Sequence, residues 1–257
     1  MFNDFSTKDS LKILQITDTH LFAHHSSLFG VNPNKNFDEV MKVIFRNELE
    51  DTDFILLTGD LSQDETSAAY QHLLKSFKNC KSRVFWLPGN HDNESVMSAV
   101  FNSFSLFTRT RLLELKHWNL VFIHSKLEGS GSGYIHLDEL NEVEKIINAS
   151  KKNIALIMHH HPIPVNTPLI DQYILNNRED LWKTISNSKV KLIVTGHVHG
   201  DYSFVYQGVN VECSPATVFQ IKKGTDTLQI EHSIGYKIHY FDKDRYRSKA
   251  VIWEGTA

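Results

Sequence analysis

Five apolar runs in this chain each stop at residues of the types that bind metals. LKILQIT leads into Asp18-Thr19-His20, FILLTG into Asp60, VFWLPG into Asn90-His91-Asp92, NIALIM into His159-His160-His161, and KLIVTG into His197-Val198-His199. Runs this rich in Ile, Val and Leu read as strands, and in open α/β sheets ligands gather just outside the carboxyl ends of the strands. Each run therefore predicts a strand and, at its end, a site residue.

Between the runs lie segments of helical period. Residues 21–36 read as a loop, and FDEVMKVIFRNELE follows as a helix with Phe37, Val40, Met41, Ile44 and Phe45 at helical spacing. A second helix is expected from Glu65 to Phe77, with Asp64 as a candidate N-cap, and a third from Ser95 to Phe104. RLLELKH and NLVFIHS read as a hairpin. The GSGSG stretch at 129–133 reads as a flexible loop, and it lacks the Gly-Lys-Ser/Thr ending of a phosphate-binding P-loop. LDELNEVEKIINAS and residues 178–188 are helical in pattern. Past His199 come short strands, DYSFVYQG, VNVECSP, TVFQIKK and YKIHYFD, with turns at Gly208, Gly224 and Gly235. The expectation is one α/β domain over residues 1–257, with two sheets, the second fed by the middle hairpin and the C-terminal strands.

Composition narrows the partners. An apolar fraction of 41% is enough for a buried core, and a net charge of −3 offers no basic field for nucleic acid. The first residues lack the basic and apolar regions of a signal peptide, and no run reaches the roughly 18 apolar residues of a membrane helix. Cys80 and Cys213 are far apart and suggest neither a metal site nor a disulfide framework. These features read as a soluble, cytoplasmic protein with reduced cysteines.

In a strand, residues i and i+2 share a side, so Asp18 and His20 converge if the strand extends that far, as do His197 and His199. Carboxylate with imidazole suits manganese, iron or zinc better than calcium or magnesium. A carboxylate such as Asp60 can bridge two cations and offset their repulsion.

In order along the chain, D-x-H, G-D, G-N-H-D, a His run after a strand, and G-H-x-H resemble the motifs of the calcineurin-like metallophosphoesterases. The resemblance covers about residues 11–250. ILQITDTHLFA, FGVN, TGDLSQDETSAAYQH, WLPGNHD and MHHHPIP sharpen it toward bacterial class III 3′,5′-cyclic AMP phosphodiesterases. The resemblance implies a two-sheet α/β/β/α sandwich of the metallo-dependent phosphatase type, with two divalent metal ions. Iron or manganese is expected first, and zinc or cobalt also suits the donors. It implies Asp18, His20 and His199 on the first metal, Asn90, His159 and His197 on the second, and Asp60 as the bridge. Within the His run the family pattern selects His159, with His161 as the alternative. His91 is implied as the catalytic residue that donates a hydrogen bond or proton to the scissile phosphate, off the metals. His20, Asp60, Asn90, His91 and His199 should surround the bound phosphate. Many relatives carry an acid three positions after the bridging Asp to orient that His; here the position is Gln63, followed by Asp64, which either orients His91 or caps a helix.

The activity this implies is hydrolysis of cyclic AMP to 5′-AMP by a metal-bound hydroxide. Glycerophosphodiesters, 2′,3′-cyclic nucleotides and pyrophosphates suit the same motifs, and a non-catalytic metal-binding scaffold is the reading from another class. The segment Ile170 to Asn177 is a candidate pocket wall. His24 and His25 read as solvated loop residues, and His117, His124, His136, His232 and His239 as surface or core residues. Neither membrane nor nucleic acid is expected as a partner, and oligomeric state is left open.

Overall fold

The computed structural model of the chain describes residues 4–24 and 26–255; His25 lies outside them, as do residues 1–3 and 256–257. The strands are β1 (Ser10–Ile16), β2 (Phe54–Thr58), β3 (Arg83–Leu87), β4 (Phe107–Thr108), β5 (Leu112–Glu114), β6 (Trp118–Phe122), β7 (Asn153–Ile157), β8 (Val190–Thr195), β9 (Tyr202–Tyr206), β10 (Val209–Cys213), β11 (Gln220–Ile221), β12 (Ile230–Glu231), β13 (Ser233–Asp242) and β14 (Arg245–Glu254). One sheet runs β14-β13-β1-β2-β3-β4 and the other β5-β6-β7-β8-β10-β9, with β11 and β12 as a separate pair. In each sheet the central strands are parallel and the antiparallel pairings lie toward an edge.

Three apolar layers explain the stack. Leu14, Ile16, Ile55 and Leu57 point outward onto helices α1 (Pro33–Asn47), α2 (Ser67–Ser76) and α3 (Glu94–Phe101). Their alternating neighbours Leu11, Ile13, Phe54 and Leu56 point inward, against Leu120, Ala155, Leu192 and Val194 of the second sheet. That sheet's outer residues, Val121, Leu156 and Ile193, pack on α4 (Leu137–Ala149) and α5 (Arg178–Ile185). Strands apolar on both faces are what a buried parallel sheet requires, and the result is an α/β/β/α sandwich. Among the described residues no helix is long and apolar enough to cross a membrane.

Several local readings change. Helix α1 begins at Pro33, inside the segment read as a loop. Proline fits the first helical turn, and the Asn32 side chain accepts the Lys35 N–H at 3.0 Å. Helix α2 is capped by Thr66, which accepts the Ala69 N–H at 3.2 Å. TVFQIKK contributes only the two-residue β11. Gly235 makes no turn; it lies inside β13. β9 and β10 belong to the second sheet, but β13 and β14 do not: β13 runs antiparallel to β1, and β14 closes that edge. β14 (RYRSKAVIWE) was not foreseen, because its sides differ little in burial and its charges suit an exposed edge strand.

Not all of the inter-sheet layer is apolar. Gln15 donates to the Thr58 hydroxyl at 2.8 Å and the Thr195 carbonyl at 3.0 Å, while its oxygen lies 2.9 Å from His239 Nε2. Lys237 of β13, also buried, reaches across to Glu212 of β10 at 2.6 Å. Ser203 and Ser248 donate to the same carboxylate at 2.7 and 3.0 Å. This polar seam ties one sheet to the other. Cys80 and Cys213 are both free and buried.

Candidate metal centre

The loops after β1, β2 and β3 of one sheet and β7 and β8 of the other meet at one end of the sandwich. The strands stop at Ile16 and Thr195, so period-two strand geometry does not bring Asp18 to His20 or His197 to His199. Left-handed backbone does. Asp18, His20, Asp60, His197 and His199 have φ of 51°, 45°, 52°, 70° and 46°. Non-glycine residues seldom adopt this region, and where they do the strain collects at functional sites. Backbone pairing holds the turns: Asp18 N–H donates to the Gly59 carbonyl and His20 N–H to the Asp60 carbonyl, both at 3.0 Å. At Gly59 a Cβ would lie 2.6 Å from His159 Nδ1, so only glycine lets these loops close.

Ligand atoms of Asp18, His20 and His199 lie within 4.8 Å of one another, as do those of Asp18, Asp60 and His159. His20 Nε2 is 3.1 Å from His199 Nε2, and His199 Nε2 is 3.6 Å from Asp18 Oδ1. His159 Nε2 is 3.1 Å from Asn90 Oδ1. Asp60 Oδ2 stands between the two groups, 3.8 Å from His20 Nε2 and 3.3 Å from His159 Nε2.

Tautomers test whether cations fit. His20 Nδ1 faces Gln63 Oε1 at 2.7 Å, His159 Nδ1 the Thr58 carbonyl at 2.7 Å, and His199 Nδ1 the Phe219 carbonyl at 3.1 Å. His197 Nε2 faces the Tyr173 carbonyl at 3.1 Å. An oxygen acceptor takes one ring N–H, so in the neutral ring the inner nitrogen is left with a lone pair, as in metal-ligating imidazoles. The lone pairs of His20 and His199 then face each other at 3.1 Å beside carboxylates, an arrangement that a cation relieves. The donor set fits two divalent ions.

Electrostatics agree. Burial pushes His20 down to about 4 and His199 to about 3, and it lifts the Asp18 carboxyl to about 7. Burial also opposes charge on His159, but Asp60 beside it outweighs this and raises it to about 9. A protonated His159 supplies positive charge where the acceptors converge, and a bound cation would displace that proton.

The remaining site residues separate. His91 is half-buried, its backbone N–H donating to Asp60 Oδ1 at 2.8 Å. Its ring stands 5.0 Å from that of His20, and a ligand atom lies within 4.8 Å of His20 and Asp60. Gln63 Nε2 is 3.4 Å from His91 Nδ1. Because the Gln63 oxygen is turned to His20, its amide N–H₂ must face His91. Nδ1 of His91 then accepts, and Nε2 carries the hydrogen. Asp64 does not orient His91; it accepts from Ala23 N–H at 2.7 Å and the Thr66 hydroxyl at 2.8 Å. Gln63 was legible only as a departure from the family pattern. Asp92 clamps loops, accepting from the N–H groups of Leu61 at 2.9 Å, Ser62 at 3.1 Å and Gly89 at 2.9 Å.

In the His run, His161 joins none of the groups of close ligand atoms; it stacks on His197 at 5.5 Å, with Nε2 3.7 Å from Asp171. His160 does, with His159 and His197, and its Nδ1 meets Ser125 Oγ at 2.9 Å while Nε2 has no hydrogen-bond partner. His160 was not singled out from the sequence, since its neighbour matched the pattern. The GSGSG stretch is packed at its end: a Cβ on Gly133 would lie 2.5 Å from His160 Cγ, while around Gly129 the space is open. Ile170 and Tyr173 do line a cavity shared with His20, His91 and His199. His117, His124 and His239 sit elsewhere, on Asp9, Glu94 and Gln15.

Comparison with known proteins places this geometry. The family model described as calcineurin-like phosphoesterase matches residues 11–201. The chain is 35% identical over 232 residues to the 3′,5′-cyclic adenosine monophosphate phosphodiesterase CpdA of Vibrio vulnificus, covering 89% of this chain and 84% of that protein. It is 32% identical to a probable cyclic nucleotide phosphodiesterase of Coxiella burnetii, covering 95% and 97%. A dimetal phosphatase from Danio rerio superposes with a TM-score of 0.71 over 96% of this chain and 99% of that one; at 11% identity this shows the fold alone. With motif order, sandwich and profile in agreement over most of its length, the chain belongs to the calcineurin-like phosphoesterases.

Proposed function

We propose that the protein is a dinuclear-metal phosphodiesterase that hydrolyses 3′,5′-cyclic AMP to 5′-AMP. The observation that carries this reading is Asp60 standing between two groups of metal-type ligands, in a chain similar to named cyclic AMP phosphodiesterases. Asp18, His20 and His199 would hold one ion, Asn90, His159 and His197 the other, and Asp60 both. The mixed nitrogen and oxygen donors suit iron or manganese. Bound divalent ions supply positive charge for a phosphate and a water with its pKa lowered to roughly 7.

The chain's own residues do the rest. Outer hydrogen bonds donated to Gln63 Oε1 and to the carbonyls of Thr58, Phe219 and Tyr173 hold the four imidazoles in their tautomers. His91, with its Nε2 hydrogen directed away from Gln63, stands beside His20 and Asp60 to donate a hydrogen bond to the phosphate or to the leaving 3′-oxygen. Replacing His91 with alanine is expected to lower kcat for cyclic AMP by about 10²–10³-fold, the range for a lost hydrogen-bond donor to developing negative charge. Elemental analysis should find its metal content equal to wild type. A His91→Ala protein that loses metal instead would make His91 a ligand.

Turnover tests the reading itself. Protein supplied with Mn²⁺ or Fe²⁺ should form 5′-AMP from 3′,5′-cyclic AMP, preferring it by kcat/KM over 2′,3′-cyclic AMP, and Asn90→Ala should not. Cleavage of bis(p-nitrophenyl) phosphate without cyclic AMP would keep the metal centre and move the substrate. Inactivity on both with metal bound would return the scaffold reading.

A further inference from the structure

Beside the candidate metal centre opens a cavity of about 380 Å³ whose floor is His20, Gln63, His91 and His199. Its walls are apolar. Phe29, Tyr173 and Leu228, which are 58%, 42% and 42% exposed, all face this one cavity. Large apolar side chains scattered singly on a surface need no explanation, but their convergence on one opening marks a binding site.

Phe29 is held there at a cost. Leu28 and Val31 exchange backbone hydrogen bonds at 2.9 and 3.1 Å, which makes Phe29-Gly30 a two-residue hairpin turn. Both residues have positive φ, 50° and 87°. Such a type I′ turn prefers Asn-Gly, and a bulky residue in its first position is disfavoured. The turn aims the Phe29 ring edge-on at Phe219, with centroids 5.9 Å apart. Phe219 in turn lies 5.0 Å from the His199 ring, so aromatic rings run unbroken from the cluster to the rim. Tyr173 faces the cavity while its carbonyl holds His197.

We propose that this slot takes the purine base of the nucleotide, stacked against Phe29, Phe219 and Tyr173, while the phosphate lies at His91. The proposal rests on the phosphodiesterase reading and specifies how its substrate is recognised. Every base offers a π-face, and stacking on aromatic side chains strengthens binding by roughly tenfold or more per base.

Calorimetry of the manganese-loaded protein with 5′-AMP and with ribose 5-phosphate isolates the base. Wild type is expected to bind 5′-AMP at least about tenfold more tightly. In Phe29→Asn that preference should collapse toward one, while the thermal midpoint holds or rises, because asparagine suits the turn. Phe29→Trp should keep the preference, and its fluorescence should respond to 5′-AMP and not to ribose 5-phosphate. A wild type indifferent to the base, or a Phe29→Asn protein that keeps the preference, would overturn the slot. Equal loss for both ligands with a lowered midpoint would make Phe29 structural and overturn it too. Binding is read without turnover, so a protein that fails to hydrolyse cyclic AMP still reports on the slot.

Discussion

Asp60→Ala is expected to lower kcat/KM for cyclic AMP by on the order of 10³-fold or more, since several kcal/mol of charge stabilisation depend on the paired ions. Asp60 Oδ2 lies 3.3 Å from His159 Nε2 and 3.8 Å from His20 Nε2, so the carboxylate is an anion placed to offset both proposed cations. Two divalent ions a few ångström apart repel strongly, and without the shared carboxylate they do not stay together. The other oxygen, Oδ1, accepts the His91 backbone N–H at 2.8 Å, so the same substitution also frees the proposed donor to the phosphate. Asp60→Asn keeps the shape and removes the charge. It should lose metal nearly as fully as alanine does, which separates charge from packing. Metal stoichiometry by elemental analysis and turnover in excess Mn²⁺ check both variants. Full metal content with near wild-type turnover would remove Asp60 from the bridging position.

Glu212→Ala is expected to destabilise the fold by up to about 3–5 kcal/mol, the cost of taking from a buried cation its buried carboxylate. Lys237 is only 1% exposed, and Glu212 meets it at 2.6 Å across the interface between the sheets. The Ser203 and Ser248 hydroxyls, which donate to that carboxylate, lose their acceptor as well. Asp201, 2.8 Å from Lys237 and 40% exposed at its side chain, is too wet to replace it. For a chain of this size the loss corresponds to a midpoint lowered by roughly 10 °C, measurable by calorimetric or dichroic melting. The double variant Glu212→Leu, Lys237→Met removes both charges, and it should recover most of the loss. A Glu212→Ala protein that melts with wild type would show that the seam is not a stabilising link.

Motif-bearing strands were the most legible part of this chain. β1, β2, β3, β7 and β8 lie where the apolar runs are, because a strand covered on both faces must be apolar throughout. Elements whose burial is decided elsewhere were not. β14 is an edge strand without a clear apolar side, and β11 is a two-residue pair. Helix α1 started early because Asn32 and Pro33 act as a cap and first turn, a local signal overshadowed by the stronger apolar period after Phe37.

For the candidate site, residue types and order were readable and the means of convergence was not. Period-two geometry brings Asp18 to His20 only where the strand runs on; β1 ends at Ile16, and left-handed turns beyond it bring the two together. Which nitrogen of each imidazole faces inward depends on carbonyls of Thr58, Tyr173 and Phe219, none of them adjacent in sequence to the histidine they fix.

By itself the sequence determined the motif-bearing strands and the cast of metal-type side chains, because apolar runs and residue chemistry are local properties, and the order of its motifs carried the resemblance to a family whose fold is the sandwich. Only the tertiary structure decided that β13 and β14 complete the first sheet, that Gln63 rather than Asp64 meets His91, and that Phe29, Phe219 and Leu228 share one cavity. The longest of those relations joins residues more than two hundred positions apart, in the pairing of Ser10 with Asp242. Distances across packed layers and the hydrogen-bond partners they permit exist only once the chain has folded.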